Sequence, residues 1–253
     1  MEFILGTRTA DDIVFVGVGE YITGTIDDGS VIHTEEEIDD YLWAYYKYLI
    51  VDGESVSDLA LLDKVLDRCK TGEVSLIIVN NSHPEAIKAM KPKFSYALPL
   101  DGEDCAEKIK GLKELLIHLY TDDHLLEMDD AELRQLFDGE RLIDRYSLFY
   151  RAKPSQHTVF KDVQALALNK NAGGTLLGVF VSDETAEEDN IAPLYALVEH
   201  LIEALPDAGR KPIVWNIYRH SGLEDGELRL ELLRTRPKAG VMETLRTQNE
   251  LLS

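Results

Sequence analysis

Residues 13–18, IVFVGV, form an unbroken apolar run rich in β-branched side chains, the pattern of a buried strand. Similar runs recur at 48–51 (YLIV) and 74–80 (VSLIIVN), and a shorter one in SYALPL (95–100), where Pro99 places the strand at or near an edge. Between these runs the apolar period lengthens to that of a helix. Thr34 and Glu37 have capping-box spacing, and the helix they open would turn Ile38, Leu42 and Tyr45 to one side. Ser55 or Ser57 can cap a helix that stacks Val56, Leu59, Leu62, Leu66 and Cys69 before Gly72. Ile109, Leu112, Leu116 and Leu119 mark a third helix within 103–119, with Ala106 on the same face. The pair Asp28–Gly29 predicts a hairpin after the first strand. The basic segment AIKAMKPKF (86–94) reads as a connection.

After Tyr120 the rhythm changes. Residues 129–151 read as charged helix anchored by Leu133, Leu136, Phe137, Leu142 and Ile143, and KPSQHT (153–158) reads as a linker. GTLLGVFVS (174–182) is a strand, followed by cap chemistry at Thr185–Glu188 and a helix from near Pro193 to Leu205. PIVWNIY (212–218) and ELRLELL (227–233) are the closing strands. The second alternates Leu228, Leu230 and Leu232 with Glu227, Arg229 and Glu231, which predicts one buried and one wet face, in an antiparallel or edge position. The expected fold is therefore α/β: a three-layer, mainly parallel sheet with helices on both faces (1–152), then a smaller mixed α+β domain (153–236) and a tail (237–253).

Composition narrows the function. With 26 basic against 47 acidic residues in a chain of 253, the net charge of −21 argues against nucleic-acid or anionic-membrane binding. No segment has the apolar length of a membrane span, and the N-terminal stretch has no basic n-region, so a cytoplasmic location is expected. Cys69 and Cys105 read as small buried hydrophobes with no disulfide framework. The seven histidines form no HxH or HExxH pattern, and no metal site is expected. The acidic clusters at 27–28, 35–40, 121–132 and 183–189 lack EF-hand spacing and fit solvated helix starts and loops. No GxSxG or SxxK nucleophile motif is present.

Two places have the local form of a phosphate site. VGVGE (16–20) offers Gly17 and Gly19 after a strand, and DGESVS (52–57) offers Gly53, Ser55 and Ser57 at a strand-to-helix turn. The second carries Asp52, Glu54 and Asp58. One like-charge pair at ~4 Å and an effective dielectric near 20 costs about 4 kcal/mol. A helix N-terminus returns only about 0.3–1 kcal/mol. Ordinary phosphate binding is therefore unfavourable.

The order of these elements resembles the tubulin/FtsZ superfamily of cytoskeletal GTPases, over residues 13–20 and 48–235. IVFVGVG is similar to that family's first strand and glycine loop. YLIVDGESVSDLALLDKVLDRCKTGEVSLIIVN resembles the strand, glycine-rich loop, helix and strand that hold the nucleotide. HTVFKDVQAL (157–166) resembles the loop after the central helix, whose acidic residues activate water, and DGELRLELLRT (225–235) resembles the closing strand of the second domain. The resemblance implies GTP, with Mg²⁺, as the ligand of an intact member. Here Gly17, Gly19, Gly53, Ser55 and Ser57 are the remaining nucleotide-binding positions. Asp162 is the one acidic match in the catalytic loop, where His157 and Val159 replace polar and acidic groups.

The function this supports is a non-catalytic FtsZ-like assembly or scaffold protein with degenerate GTP-binding loops, hydrolysis lost, forming homo-oligomers or binding an FtsZ-like partner. Met242, Leu245 and Asn249 share a helical face in the tail, which reads as a docking peptide or a frayed terminus. One alternative is a nucleotide or small-molecule enzyme with a Mg²⁺-assisted site lined by Asp52, Glu54, Asn80, Asn81 and His83. Another is a ligand-sensing regulatory domain.

Overall fold

The chain is described by a computed structural model over residues 13–20, 30–37, 46–69, 74–100, 105–121, 123–124, 130–137, 141–151, 154–166, 173–205 and 212–237. Contacts divide it into two compact units, 1–121 and 122–253.

In the first unit, strands β1 (Ile13–Val18), β2 (Val31–Ile32), β3 (Tyr46–Asp52), β4 (Val74–Val79) and β5 (Ala97–Leu100) form one sheet in the order β2-β1-β3-β4-β5. All its pairings are parallel. The apolar runs explain this: β4 is buried along its whole length, as a strand covered on both faces must be. Helices α1 (Val56–Arg68) and α2 (Pro84–Met90) cover one face, where Leu59, Leu62, Val65 and Leu66 meet Val16, Val18, Leu49, Val51, Leu76 and Ile78. On the other face Phe15 stacks on Tyr48 at 5.0 Å between ring centres. Lys113 of α3 (Cys105–Thr121) lies over the Phe15 ring.

In the second unit, β6 (Asp123–His124), β7 (Arg141–Tyr150), β8 (Gly174–Val181), β9 (Ile213–Arg219) and β10 (Leu228–Pro237) make a mixed sheet in the order β6-β9-β8-β10-β7. β8 and β9 are parallel, and β10 runs antiparallel between β8 and β7. Helices α5 (Gln156–Leu166) and α6 (Glu188–Ala204) pack with the face carrying Leu177, Val179, Val181, Ile217, Leu228, Leu230 and Leu232. The short helix α4 (Asp130–Phe137) precedes β7.

Several sequence expectations are corrected. β2 pairs parallel with β1, so the two are not joined as a hairpin; Asp28–Gly29 itself lies outside the described residues. Glu37 Oε2 accepts the His33 amide at 2.8 Å, one residue before the expected cap Thr34, and the helix expected after it lies outside the described residues. Val56 is 67% exposed rather than inward, because the first turn of α1 presents Asp58 and Leu59 to the interior. Residues 84–90 form a helix where a connection was expected, started by Pro84 at N1.

The stretch expected to be helical through 151 ends as a helix at Phe137. Residues 141–150 are strand because β10 offers a full-length antiparallel partner, a tertiary effect invisible in local periodicity. The expected linker at 153–158 leads from β7 into α5, inside the second unit. α6 starts at Glu188, five residues before Pro193, with no side-chain cap. β10 is antiparallel as expected, but its polar face is not wet: Glu231 is 1% exposed. Cys69 and Cys105 are half-buried free thiols.

Candidate functional site

In the order β2-β1-β3-β4-β5 the chain leaves β1 toward one edge and returns across it to β3. Open parallel sheets bind ligands outside the carboxyl ends of their strands at such a reversal point. Here that point lies between β1 and β3, and the residues there are Gly17, Gly19, Asp52, Gly53, Ser55 and Ser57. The loop after β4 joins them: a Cβ on Gly53 would lie 2.9 Å from Asn81 Cα and 3.0 Å from the Asn80 carbonyl oxygen. Asn80 adopts a positive φ of 51°, a conformation that Asn tolerates, and Ser82 donates to Glu54 Oε1 at 3.4 Å. His83 is exposed at the start of α2, beside a groove of about 720 Å³ between α1 and α2 that includes Val56 and Met90.

A phosphate cradle needs backbone amides with no other acceptor. The amide of Gly17 donates to the Ser30 carbonyl at 2.8 Å, and that of Gly19 to Ile32 at 2.9 Å. Gly53 donates to Val79 at 2.6 Å, Ser55 to Asp52 at 3.3 Å, and Glu54 to Asp52 Oδ1 at 2.8 Å. The Ser55 hydroxyl caps α1 by accepting from the Asp58 amide at 3.3 Å and bonds to the Ser57 hydroxyl at 3.1 Å. Gly17, Gly19, Gly53, Ser55 and Ser57, the positions expected from the sequence, thus lie at the carboxyl ends of β1 and β3, and the amides of the first four already serve the fold.

Carboxylates fill the crevice. Gly19 has φ +95°, and a Cβ built on it would fall on the Asp58 carboxylate. Asp58 is 6% exposed and Asp52 1%; Asp58 Oδ1 accepts from the Ser57 hydroxyl at 3.4 Å, and the Oδ2 atom of each acid is buried with no hydrogen-bond partner among the described residues. Burial pushes the Asp52 carboxyl above the ordinary range; the Glu54 amide opposes this, and the charges of Glu54 and Asp58 add to it. Sequence reading identified both acids as unfavourable to phosphate but not that both are interior. The signal was the spacing Ser55-x-x-Asp58, which puts Asp58 on the first turn of α1, one residue from the inward Leu59.

Asp162 lies in the second unit, within α5 rather than in a loop. Its Oδ2 accepts from the Tyr150 hydroxyl at 2.9 Å, and burial followed by this bond pushes the Tyr150 phenol well above its ordinary range. Among the described residues no group of three or more His, Cys, Asp or Glu gathers as a metal-ligand set, and no helix is long and apolar enough to cross a membrane.

No protein-family model matches the chain, and no curated protein does. Solved structures do. TubZ from Bacillus thuringiensis serovar israelensis, solved as GDP-form protofilaments, is matched at 8% identity with a TM-score of 0.56, over 97% of this chain and 95% of that one. CetZ2 from Haloferax volcanii, solved as a GTPγS-bound protofilament, is matched at 12% identity and a TM-score of 0.51, over 86% and 74%. The fold is that of the tubulin/FtsZ superfamily. An empty FtsZ dimer from M. jannaschii is matched at 16% identity and a TM-score of 0.48; the chain covers 66% of that protein's length, with 79% of its own aligned.

Proposed function

We propose that this chain is a non-catalytic assembly or scaffold protein on the tubulin/FtsZ fold, whose nucleotide crevice no longer takes GTP. The observation that carries the reading is the use of the Gly17, Gly19, Gly53 and Ser55 amides inside the fold, with two buried carboxylates where a phosphate would approach. A nucleotide would have to break those bonds and also overcome like-charge repulsion of several kcal/mol, about 4 per close pair. Asp162, the one acidic match to a hydrolytic loop, is engaged by Tyr150. The relatives TubZ and CetZ2 are solved as protofilaments, which supports self-association of this chain, or its docking on an FtsZ-like partner, as the retained role.

The test is calorimetric titration with GTP, and ATP as control, with and without Mg²⁺, beside sedimentation velocity over a range of protein concentrations. The reading expects no saturable nucleotide heat and concentration-dependent assembly without nucleotide. Assembly should strengthen with salt, because a net charge of −21 repels copies through a field that salt screens. Micromolar GTP binding would overturn the degenerate crevice. A strict monomer with no FtsZ-like partner would overturn the scaffold.

A further inference from the structure

We propose that a cavity in the second unit binds a small amphipathic zwitterion, of the class of apolar amino acid derivatives and short apolar peptides that carry both an ammonium and a carboxylate. The cavity holds about 580 Å³, and its lining comes from the second unit alone. It lies where the connection after β7 and the turn before β10 meet the first turn of α5 and the first half of α6. Pockets of about 300–1,000 Å³ hold ligands of this size. Val159, Val181, Leu194, Leu197 and Leu228 form the floor, and each belongs to the buried core that α5 and α6 make with the sheet. Pro154 and Pro193 add wall that carries no backbone N–H. An apolar body seated here gains stability in proportion to the area it takes out of water.

The polar rim indicates the head groups. Its acidic side is built in advance. The Thr185 hydroxyl donates to Asp225 Oδ1 at 3.1 Å, and the Ser182 hydroxyl donates to Thr185 Oγ1 at 3.0 Å. Glu227 Oε2 accepts from the Glu224 amide at 2.9 Å. These bonds tie the turn before β10 to the loop after β8, and they leave each carboxylate with lone pairs for a further donor. The other side of the rim carries donors. Leu228 pairs with Tyr150, so Arg151, the next residue after β7, stands at the end of the ladder beside Glu227. The Arg151 guanidinium and the side-chain amide of Gln156 line the cavity with no hydrogen-bond or ion-pair partner among the described residues. A carboxylate suits Arg151, and an ammonium suits Asp225 and Glu227. A pure anion would meet those two acids and the field of a chain with net charge −21, and a pure cation would leave Arg151 unmatched. A zwitterion answers both sides of the rim and has no net charge for that field to repel.

The inference does not rest on the assembly reading, and its test contains no nucleotide. Leucyl-phenylalanine, a zwitterion with an apolar body, is titrated into the full chain beside two derivatives. Its N-acetyl form is an anion, and its C-terminal amide is a cation. Binding is read by saturation-transfer difference NMR and calorimetry. The dipeptide should bind saturably at one site per chain, at least about threefold more tightly than either derivative, as one rim charge pair allows. Arg151→Gln should remove its advantage over the amide. Asp225→Asn/Glu227→Gln, which keeps an acceptor for Thr185 and for the Glu224 amide, should remove its advantage over the N-acetyl form. Gln156→Trp, at an exposed position on the lining, should block all three ligands by filling the mouth. These side chains stand on the rim outside the core, and an unchanged circular dichroism spectrum identifies each variant as folded. No saturable binding at about 5 mM dipeptide, a derivative bound as tightly as the dipeptide, or binding that survives Gln156→Trp would each overturn the proposal. None of these outcomes bears on whether the chain assembles or takes GTP.

Discussion

The carboxylate of Asp58, on the first turn of α1, fills the space into which a side chain on Gly19 would grow. Gly19 also has a φ of +95°, so any other residue there meets both a strained backbone and an occupied volume. Gly19→Ala should therefore destabilise the chain by about 1–3 kcal/mol. The two causes are separable. In an Asp58→Ala background the volume is vacated and only the backbone cost remains. A double-mutant cycle by urea denaturation should show positive coupling of about 0.5–3 kcal/mol. Strict additivity would mean that the two residues do not share the space.

Asp52 should make stability depend on pH in the sense opposite to a salt-bridged acid. Its folded-state pKa is raised by burial, so between its unfolded and folded values the native chain holds a proton that the unfolded chain has lost. Stability then falls as pH rises through that window and stays lowered above it. Asp52→Asn keeps an acceptor for the Glu54 amide and cannot ionise. In metal-free buffer with chelator, the midpoint of Asp52→Asn should exceed that of the wild type by a margin that opens with rising pH. A margin constant with pH would refute a buried, protonating Asp52.

How much of this was legible in the sequence depends on how local each cause is. The strands of the first unit could be read because a parallel sheet covered on both faces needs continuous apolar runs, and IVFVGV and VSLIIV announce themselves. The cap at Ser55 was readable for the same reason. Residues 141–150 were not, because RLIDRYSLFY carries enough charge to pass for a helix surface and becomes a strand only through its ten-residue pairing with β10. Val56 was placed inward by period alone, and a one-step rotation of α1 put Asp58 inside instead. The crevice was located from the glycines. Its chemistry was hidden, because which amides are already bonded is a fact of strand pairing.

The same limit applies to Glu231, which alternation along β10 assigned to solvent. It is 1% exposed, and its Oε1 accepts from Arg229 Nε at 2.8 Å, Ser147 Oγ at 2.8 Å and Arg145 at 3.0 Å. Gly178 stands opposite it on β8 and Ser147 on β7, so small neighbours make the room it needs. Removing one partner of a buried ion pair leaves the others uncompensated. Glu231→Ala should therefore cost about 3 kcal/mol, the low end of the usual range, because both arginines keep some contact with water. A lowered urea midpoint with unchanged slope would show this as lost stability rather than an altered unfolded state. A loss under about 0.5 kcal/mol, the level of an ordinary surface change, would contradict it.

Tyr150 and Asp162 test the proposal that the acidic position expected of a hydrolytic loop is engaged structurally. The Tyr150 hydroxyl donates to Asp162 Oδ2 at 2.9 Å across the junction of β7 and α5. Tyr150→Phe should cost about 1 kcal/mol at neutral pH, since both groups retain partial exposure. The phenol is held protonated, first by burial and then by Asp162, so above about pH 10, where an unfolded tyrosine ionises, the native chain retains the extra proton. Wild-type stability should then fall with pH relative to Tyr150→Phe, and the advantage of the hydrogen bond should shrink. The variant also releases Asp162 from its partner. On the structural account, phosphate release from GTP stays at the level of buffer alone in wild type and Tyr150→Phe alike. Turnover that appears only in Tyr150→Phe would mean that Asp162 remains a competent acid kept in check by this bond.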